Sequence, residues 1–434
     1  MTENKKTGPG AIPVRFANIV PMLFREKIAR GWNLPLNIWV LTATSFLTDV
    51  SSEMIFNLVP LYLFNVLGVS TAIIGMIDGI AETTASLLKL YSGALSDKLG
   101  QRKWLAVIGY GISTISKPFL YFANNWALVL GVRFADRTGK GIRTAPRDAL
   151  MAGSIDEKQR GLAFGVHRAG DTAGAFIGLG VTALIIWLTQ SGATLTLHTF
   201  QIVVLASFIP ALAAVIVLAG FTREVTVKTG ARLPIFSMQG LDNRFKAFLL
   251  AAILFTLGNS SDSFIILRGQ ERGLSLLQIM LMLMTFNLVY SVLAGPFGAL
   301  SDRFGRRRLI LAGWMAYGLV YIGFAMADTG VQIWVLFGVY GLYYALTEGA
   351  AKAFVADLVP PERRGTAYGL YNAAIALTAF PASLIAGFLW QGVGSWNGFG
   401  PRAPFIFGAI LALLAAGLFL TIKFNQNFKK PETV

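Results

Sequence analysis

Gly93-Ala94-Leu95-Ser96-Asp97-Lys98-Leu99-Gly100-Gln101-Arg102-Lys103 recurs 205 positions later as Gly298-Ala299-Leu300-Ser301-Asp302-Arg303-Phe304-Gly305-Arg306-Arg307-Arg308. Each copy is a basic, glycine-marked turn between two apolar blocks. Two further stretches repeat at nearly the same offset. Arg160-Gly161-Leu162-Ala163-Phe164-Gly165 returns as Arg364-Gly365-Thr366-Ala367-Tyr368-Gly369, 204 positions on. Ser51-Ser52-Glu53 matches Ser260-Ser261-Asp262 at an offset of 209. Three matches at almost one offset imply a duplicated unit. The glycines have local reasons: Gly93 and Gly298 permit close helix packing, and Gly100 and Gly305 suit tight turns at positive φ.

What lies between the repeats is apolar. Of 434 residues, 55% are hydrophobic and 14% charged, and mean hydropathy is +0.61. Soluble domains carry about 25% charged residues, so these charges cannot cover a water-facing surface. Apolar blocks run over 37–66, 72–95, 104–123, 126–150, 161–188, 199–221, 246–267, 275–299, 308–327, 331–356, 366–390 and 403–423. Most have the length that crosses about 30 Å of hydrocarbon as a helix. The expected fold is therefore all-α and integral to a membrane, with twelve transmembrane helices in two pseudo-symmetric six-helix bundles.

Net charge is +15. In a soluble protein this would suggest nucleic acid; here the cations fall in loops. About 25 Lys and Arg lie on the side of the termini and about three on the other, which places both termini in the cytoplasm. The bilayer is the expected partner and nucleic acid is not. The lipid environment is a plasma or bacterial inner membrane. Residues 1–36 read as a cytoplasmic segment, 37–221 as the first bundle, 222–245 as a cytoplasmic linker, 246–424 as the second bundle and 425–434 as a cytoplasmic tail. With no cysteine, disulfides and thiolate metal sites are absent. No enzyme constellation, phosphate-binding loop, metal motif or cofactor motif is present.

The repeated turn resembles the signature of the major facilitator superfamily between helices 2 and 3, glycine-x-leucine-alanine-aspartate-arginine-x-glycine-arginine-lysine. Both copies sit where that family places them. Ser96 and Ser301 replace its alanine, and Gln101 its first basic residue. The resemblance covers roughly residues 37–425 and implies two halves that rock about a central cavity. It also implies a latch at Gly93, Asp97, Arg102, Asp148, Gly298, Asp302, Arg307 and Asp357, with Arg102 and Arg307 able to pair with carboxylates such as Asp148 and Asp357. Arg133 to Arg143 is similar to the family's arginine-and-glycine motif in helix 4 but more charged. In helix 5, Gly170, Gly174 and Gly178 give small-xxx-small spacing without the family's glycine-proline pair.

A charge at the bilayer centre costs roughly 2.5–3.5 kcal/mol on insertion scales, so it needs a partner or a wet cavity. The charges cluster on helices that the resemblance places around the cavity: Asp49 and Glu53 on helix 1, Asp78, Glu82 and Lys89 on helix 2, and Arg133, Asp136, Arg137, Lys140, Arg143 and Arg147 on helix 4. Helix 5 has His167, Arg168 and Asp171, helix 7 has Asp262, and helix 10 has Glu348 and Lys352. Helices 3, 6, 9 and 12 have almost none apart from Lys117. At about 1.5 Å per residue, Asp49, Arg137 and Asp171 fall near the midplane. A midplane acid near a cation can act as a proton relay that substrate tips. The candidates for proton coupling are Asp49, Glu53, Asp171, Asp262 and His167. Those for solute binding are Arg133, Asp136, Arg137, Lys140, Arg168 and Glu348.

These residues point to a secondary active transporter, monomeric by default for the fold. It would move a small polar or charged organic solute by alternating access with protons, export favoured over uptake. The alternatives are proton-symport uptake of an organic anion, metal-ion export with Asp49, Glu53 and His167 as ligands, and a non-transporting receptor or lipid mover.

Overall fold

The computed structural model describes residues 34–156, 159–225, 238–239, 241–360 and 363–422. Most of the expected N-terminal segment, linker and tail lie outside them. Asp97, Gly298 and Asp302 sit within helices, and beyond that placement they too lie outside what is described.

Among the described residues twelve helical spans follow one another. The first half holds α1 (Leu36–Phe56, continued by Val59–Leu61 and the π turn Tyr62–Val66), α2 (Thr71–Leu99) and α3 (Arg102–Ser116, tightening to 3₁₀ over Lys117–Phe122). It is completed by α4 (Trp126–Gly153), α5 (Arg160–Thr189) and α6 (Leu197–Phe221). The second half opens with α7 in two segments, Asn243–Gly258 and Ser263–Glu271. α8 (Leu276–Phe304), α9 (Arg306–Met326), α10 (Gly330–Asp357), α11 (Arg364–Gln391) and α12 (Ala403–Thr421) follow.

Nine of these are long and apolar enough to cross a membrane, counting the two segments of α7 as one. The α-helical part of α3 has only 15 residues. α1 and α4 are diluted by polar side chains turned inward, such as buried Thr44, Thr48 and Ser51 on α1 and Arg133 and Asp136 on α4. Helix starts are capped locally. Asn125 accepts from the Leu128 amide, and Thr329 and Gln332 form a capping box on α10. The signature turns end as expected, with Gly100 at φ 65 and Gly305 at φ 92.

The halves pack by one plan. α1 lies on α5 and α6, α4 on α2 and α3, and α3 on α6; likewise α7 lies on α11 and α12, α10 on α8 and α9, and α9 on α12. Two main contacts join the halves, α2 with α11 and α5 with α8, as a pseudo-two-fold requires, and the Val59–Leu61 end of α1 meets the second segment of α7. The α5 small-residue stripe has its purpose here: a side chain at Gly174 or Gly178 would strike the α1 backbone at Phe46 or Val50.

One span departs from expectation. The apolar block 246–267 predicts one continuous span, but the α7 helix stops at Gly258 and restarts at Ser263. Asn259 takes φ −97 and ψ 83, and the Tyr317 hydroxyl holds the Gly258 carbonyl at 2.9 Å. The segment Asn259-Ser260-Ser261-Asp262 offers side-chain partners that compete with helical hydrogen bonds, and a neighbouring helix re-satisfies the freed carbonyl.

Candidate functional site

A cavity of about 380 Å³ lies between the halves. Asp49, Ser52, Glu53 and Phe56 of α1, Asp78 and Glu82 of α2, and the ionic face of α4 from Arg133 to Arg143 form one wall. The α7 break, Tyr344 of α10 and Ser383 of α11 form the other.

The cavity is closed at the face opposite the termini. There Thr71 of α2 donates its amide to Gln391 and its hydroxyl to the Gly387 carbonyl of α11, at 2.9 and 3.0 Å. The α2 and α11 backbones touch where Gly75 meets Ser383 and Gly387 meets Thr71 and Ala72. The second α7 segment adds a buried plug of Phe264, Ile265, Ile266 and Leu267. Exposure rises toward the other end: the Asp78 side chain is 6% exposed and Glu82, one turn nearer the termini face, 49%. The cavity therefore opens toward the face that carries the termini.

Its first wall is organised by pairs. Arg133 donates to Asp78 at 2.8 Å and Arg137 lies 2.8 Å from Glu82. Both guanidiniums lie over the Phe56 ring, at 4.6 and 5.3 Å, which fixes their planes. Lys117, fully buried, donates to Ser51 and Ser52 at 2.7 and 3.1 Å beneath that wall. Arg143 is held by Ser113 at 2.6 Å and by the Tyr110 ring. Saturation is incomplete: Nε and Nη1 of Arg133 and Nε of Arg137 are buried without a hydrogen-bond partner. The second wall centres on Asp262, which accepts from the Tyr340 hydroxyl at 3.2 Å. Tyr340 stacks or tilts against Phe337, Tyr343 and Tyr321.

Of the proton-coupling candidates, Asp49, Glu53 and Asp262 line the cavity. His167 and Asp171 lie behind it on α5, with Nε2 and Oδ1 3.7 Å apart and neither His167 ring nitrogen hydrogen-bonded. Gly174 brings α5 onto Asp49 across the α1–α5 seam, and Asp171 lies about one helical turn before Gly174. Among the solute candidates, Arg133, Asp136, Arg137 and Lys140 line the cavity; Arg168 and Glu348 do not. Instead Arg168 donates to the Tyr290 hydroxyl at 2.8 Å, Tyr290 donates to Glu348, and Glu348 meets Lys352 at 3.0 Å. This chain bridges the halves across α5, α8 and α10. Of the latch candidates, Arg102 holds the Ala149 carbonyl at 3.1 Å and Arg307 the carbonyls of Phe419 and Leu420. Asp148 pairs with Arg147, and Asp357 with Arg306.

Sequence reasoning passed over Asp78 as a site residue. It joins the halves, accepting from Arg133 on one side and from the Ser261 and Ser263 hydroxyls on the other. The signal available was Asp78 with Glu82 on one helical face, opposite the Arg133 and Arg137 pair with the same spacing. Among the described residues no group of three His, Asp or Glu side chains is disposed to hold a metal, so the ligand set imagined for metal export does not assemble. An apolar groove of about 650 Å³ between α5 and α8 shares no lining residue with the central cavity.

Two six-helix halves around a charged cavity closed at one end define a membrane transporter. Residues 41–261 and 247–433 each match the Major Facilitator Superfamily, and the chain belongs to that family. An uncharacterised MFS-type transporter of Methanocaldococcus jannaschii is 35% identical over 396 residues, 90% of this chain and 95% of that protein. The multidrug resistance protein MdtH of Photorhabdus laumondii is 24% identical over 397 residues, covering 86% of this chain and 91% of its own. The crystal structure of the nucleoside transporter NupG superposes with a TM-score of 0.73 at 14% identity, covering 88% of this chain and 98% of that one. At that identity it shows the fold alone.

Proposed function

We propose that the chain exports a small charged organic solute by alternating access, coupled to protons, across a plasma or inner membrane with both termini in the cytoplasm. The observation that carries the reading is the cavity wall of α1, α2 and α4, where paired arginines leave buried N–H groups without a partner. A buried, unpartnered donor costs about 1–3 kcal/mol, and more when charged. It is tolerated where a ligand supplies the missing acceptor. Asp49, which lines the cavity without an arginine ion pair of the kind that holds Asp78 and Glu82, forms the proton site with Asp171 and His167 behind it on α5. Arg102 and Arg307, each anchoring a helix end, serve with Asp97, Asp148, Asp302 and Asp357 as the latch on the open face. The protein works as a monomer. Export agrees with the name of MdtH. Uptake of an organic anion with protons is the second reading, favoured by the cationic face of α4.

Proteoliposomes with a trapped pH dye and a panel of charged solutes test this. Solute addition should move protons, and an imposed proton gradient should drive solute against its own gradient. The direction of uphill movement separates export from uptake. Solute flux indifferent to the proton gradient would remove the coupling and leave a uniporter or exchanger.

A further inference from the structure

The two walls of the cavity have opposite unmet needs. On the α4 wall, Lys140 is exposed to the cavity, and among the described residues its ammonium is in no ion pair, Glu82 being held by Arg137 instead. Arg133 and Arg137 line the same cavity, and Nε and Nη1 of Arg133 and Nε of Arg137 are buried beside it without partners. Two guanidiniums fixed over Phe56 and a free ammonium make a seat for an anionic group that takes several hydrogen bonds. The α7 wall is the reverse. Among the described residues the Asp262 carboxylate accepts one side-chain hydrogen bond, from the neutral Tyr340 hydroxyl. It shares the cavity with Asp78 and Glu82, both acids. Each of those has an arginine of its own; Asp262 has none. A carboxylate that faces acids and aromatic rings calls for a cation with two or more N–H donors.

We infer that the solute is a zwitterion, its carboxylate, phosphonate or similar anion on Arg133, Arg137 and Lys140, and its ammonium on Asp262 beside Tyr340 and Tyr344. The proposal rests on the transport reading above and sharpens its solute class. A cavity of about 380 Å³ is at the small end of ligand sites, so the molecule is a compact amino acid derivative or a short conjugate of one. The solute spans the halves, joining α4 to α7, and each charge alone would leave one wall unmet. One-charge analogues therefore bind less well than the sum of their groups suggests.

The test is binding to the purified full-length protein, read as thermal stabilisation against concentration. The probes are matched triplets on one skeleton: an amino acid, its des-amino acid and its decarboxylated amine, with aliphatic, aromatic and phosphonate members. The zwitterion should bind about tenfold or more tighter than either partner, the worth of one charge-assisted hydrogen bond. Asp262→Asn should bring the zwitterion down to the des-amino acid and leave the des-amino acid unchanged. Lys140→Gln, at a position exposed to the cavity, should weaken the zwitterion and the des-amino acid alike and spare the amine. The proposal is overturned if a one-charge analogue binds as well as its zwitterion, if no zwitterion stabilises the protein, or if Asp262→Asn weakens the des-amino acid equally. Proton-coupled flux of any other charged solute in vesicles would leave the transport reading standing even then.

Discussion

α4 and α10 occupy equivalent places in the two halves and are filled in opposite ways. α4 presents Arg133, Asp136, Arg137, Lys140 and Arg143 to the cavity, tied to α2 by two ion pairs. α10 packs Tyr340, Tyr343 and Tyr344 against one another and against Phe286 and Phe337, and sends only Tyr344 into the cavity. The same contrast runs through the partner helices: α1 is continuous past Asp49 and Glu53, whereas α7 breaks before Asp262. A duplicated scaffold has thus been specialised. One half is an ionic wall whose cations are held in place by stacking and pairing. The other is an aromatic wall that leaves a single acid isolated. On the proposed reading, the first half takes the solute's anion and handles the proton, and the acid of the second selects among solutes.

The ionic half should be the more fragile. Arg133→Ala leaves Asp78 buried and uncompensated, and losing one member of a buried pair costs about 3–5 kcal/mol. A large drop in the detergent melting temperature is expected, and Asp78→Leu with Arg133→Met should recover much of it while transport stays lost. Wild-type melting of Arg133→Ala would mean that the pair does not hold this half. Next in size is the seam between the halves. Gly387→Leu places a side chain against Thr71 and Ala72, an overpacking worth about 1–3 kcal/mol. It should pry α2 from α11 and open the closed face. Because the chain has no cysteine, a single Thr71→Cys reports this directly, and its labelling should rise in the Gly387→Leu background. Tyr340→Phe removes one donor from Asp262, about 0.5–1.5 kcal/mol, and should weaken solute binding several-fold without touching the ionic half. The smallest effect belongs to Arg402→Gln, whose pair with Asp328 is exposed on both sides. A change under about 1 kcal/mol and unaltered transport are expected.

Much of this was legible beforehand, for reasons that differ by residue. The repeat of Gly93–Lys103 in Gly298–Arg308 is a local pattern tied to a turn, and Gly100 and Gly305 adopt the positive φ it requires. The concentration of charge on α1, α2, α4 and α7 followed from the expense of charge in lipid, and the cavity collects it. Pairing was harder to read. Helical spacing says which residues share a face, not which of two adjacent arginines meets an acid on another helix. Asp357, for example, meets Arg306, the neighbour of Arg307. Arg168 and Glu348 were placed by helix number, yet a rotation about the axis carries them to the α5–α8 side, joined through Tyr290. The α7 break is hard to read because an apolar average over 246–267 hides the polar run at 259–263. Asp78 escaped because its partners Ser261 and Ser263 lie on that break.

The central claim is that the first half carries the proton and the second selects the solute. It is tested most directly by solute-driven proton movement in proteoliposomes, with Asp49→Asn and Asp262→Asn measured side by side against wild type. The account predicts that Asp49→Asn loses proton movement while still exchanging solute across the membrane, and that Asp262→Asn loses preference among solutes while those it carries still move protons. Proton movement that survives in Asp49→Asn and vanishes in Asp262→Asn would contradict it and place the proton site at the α7 break.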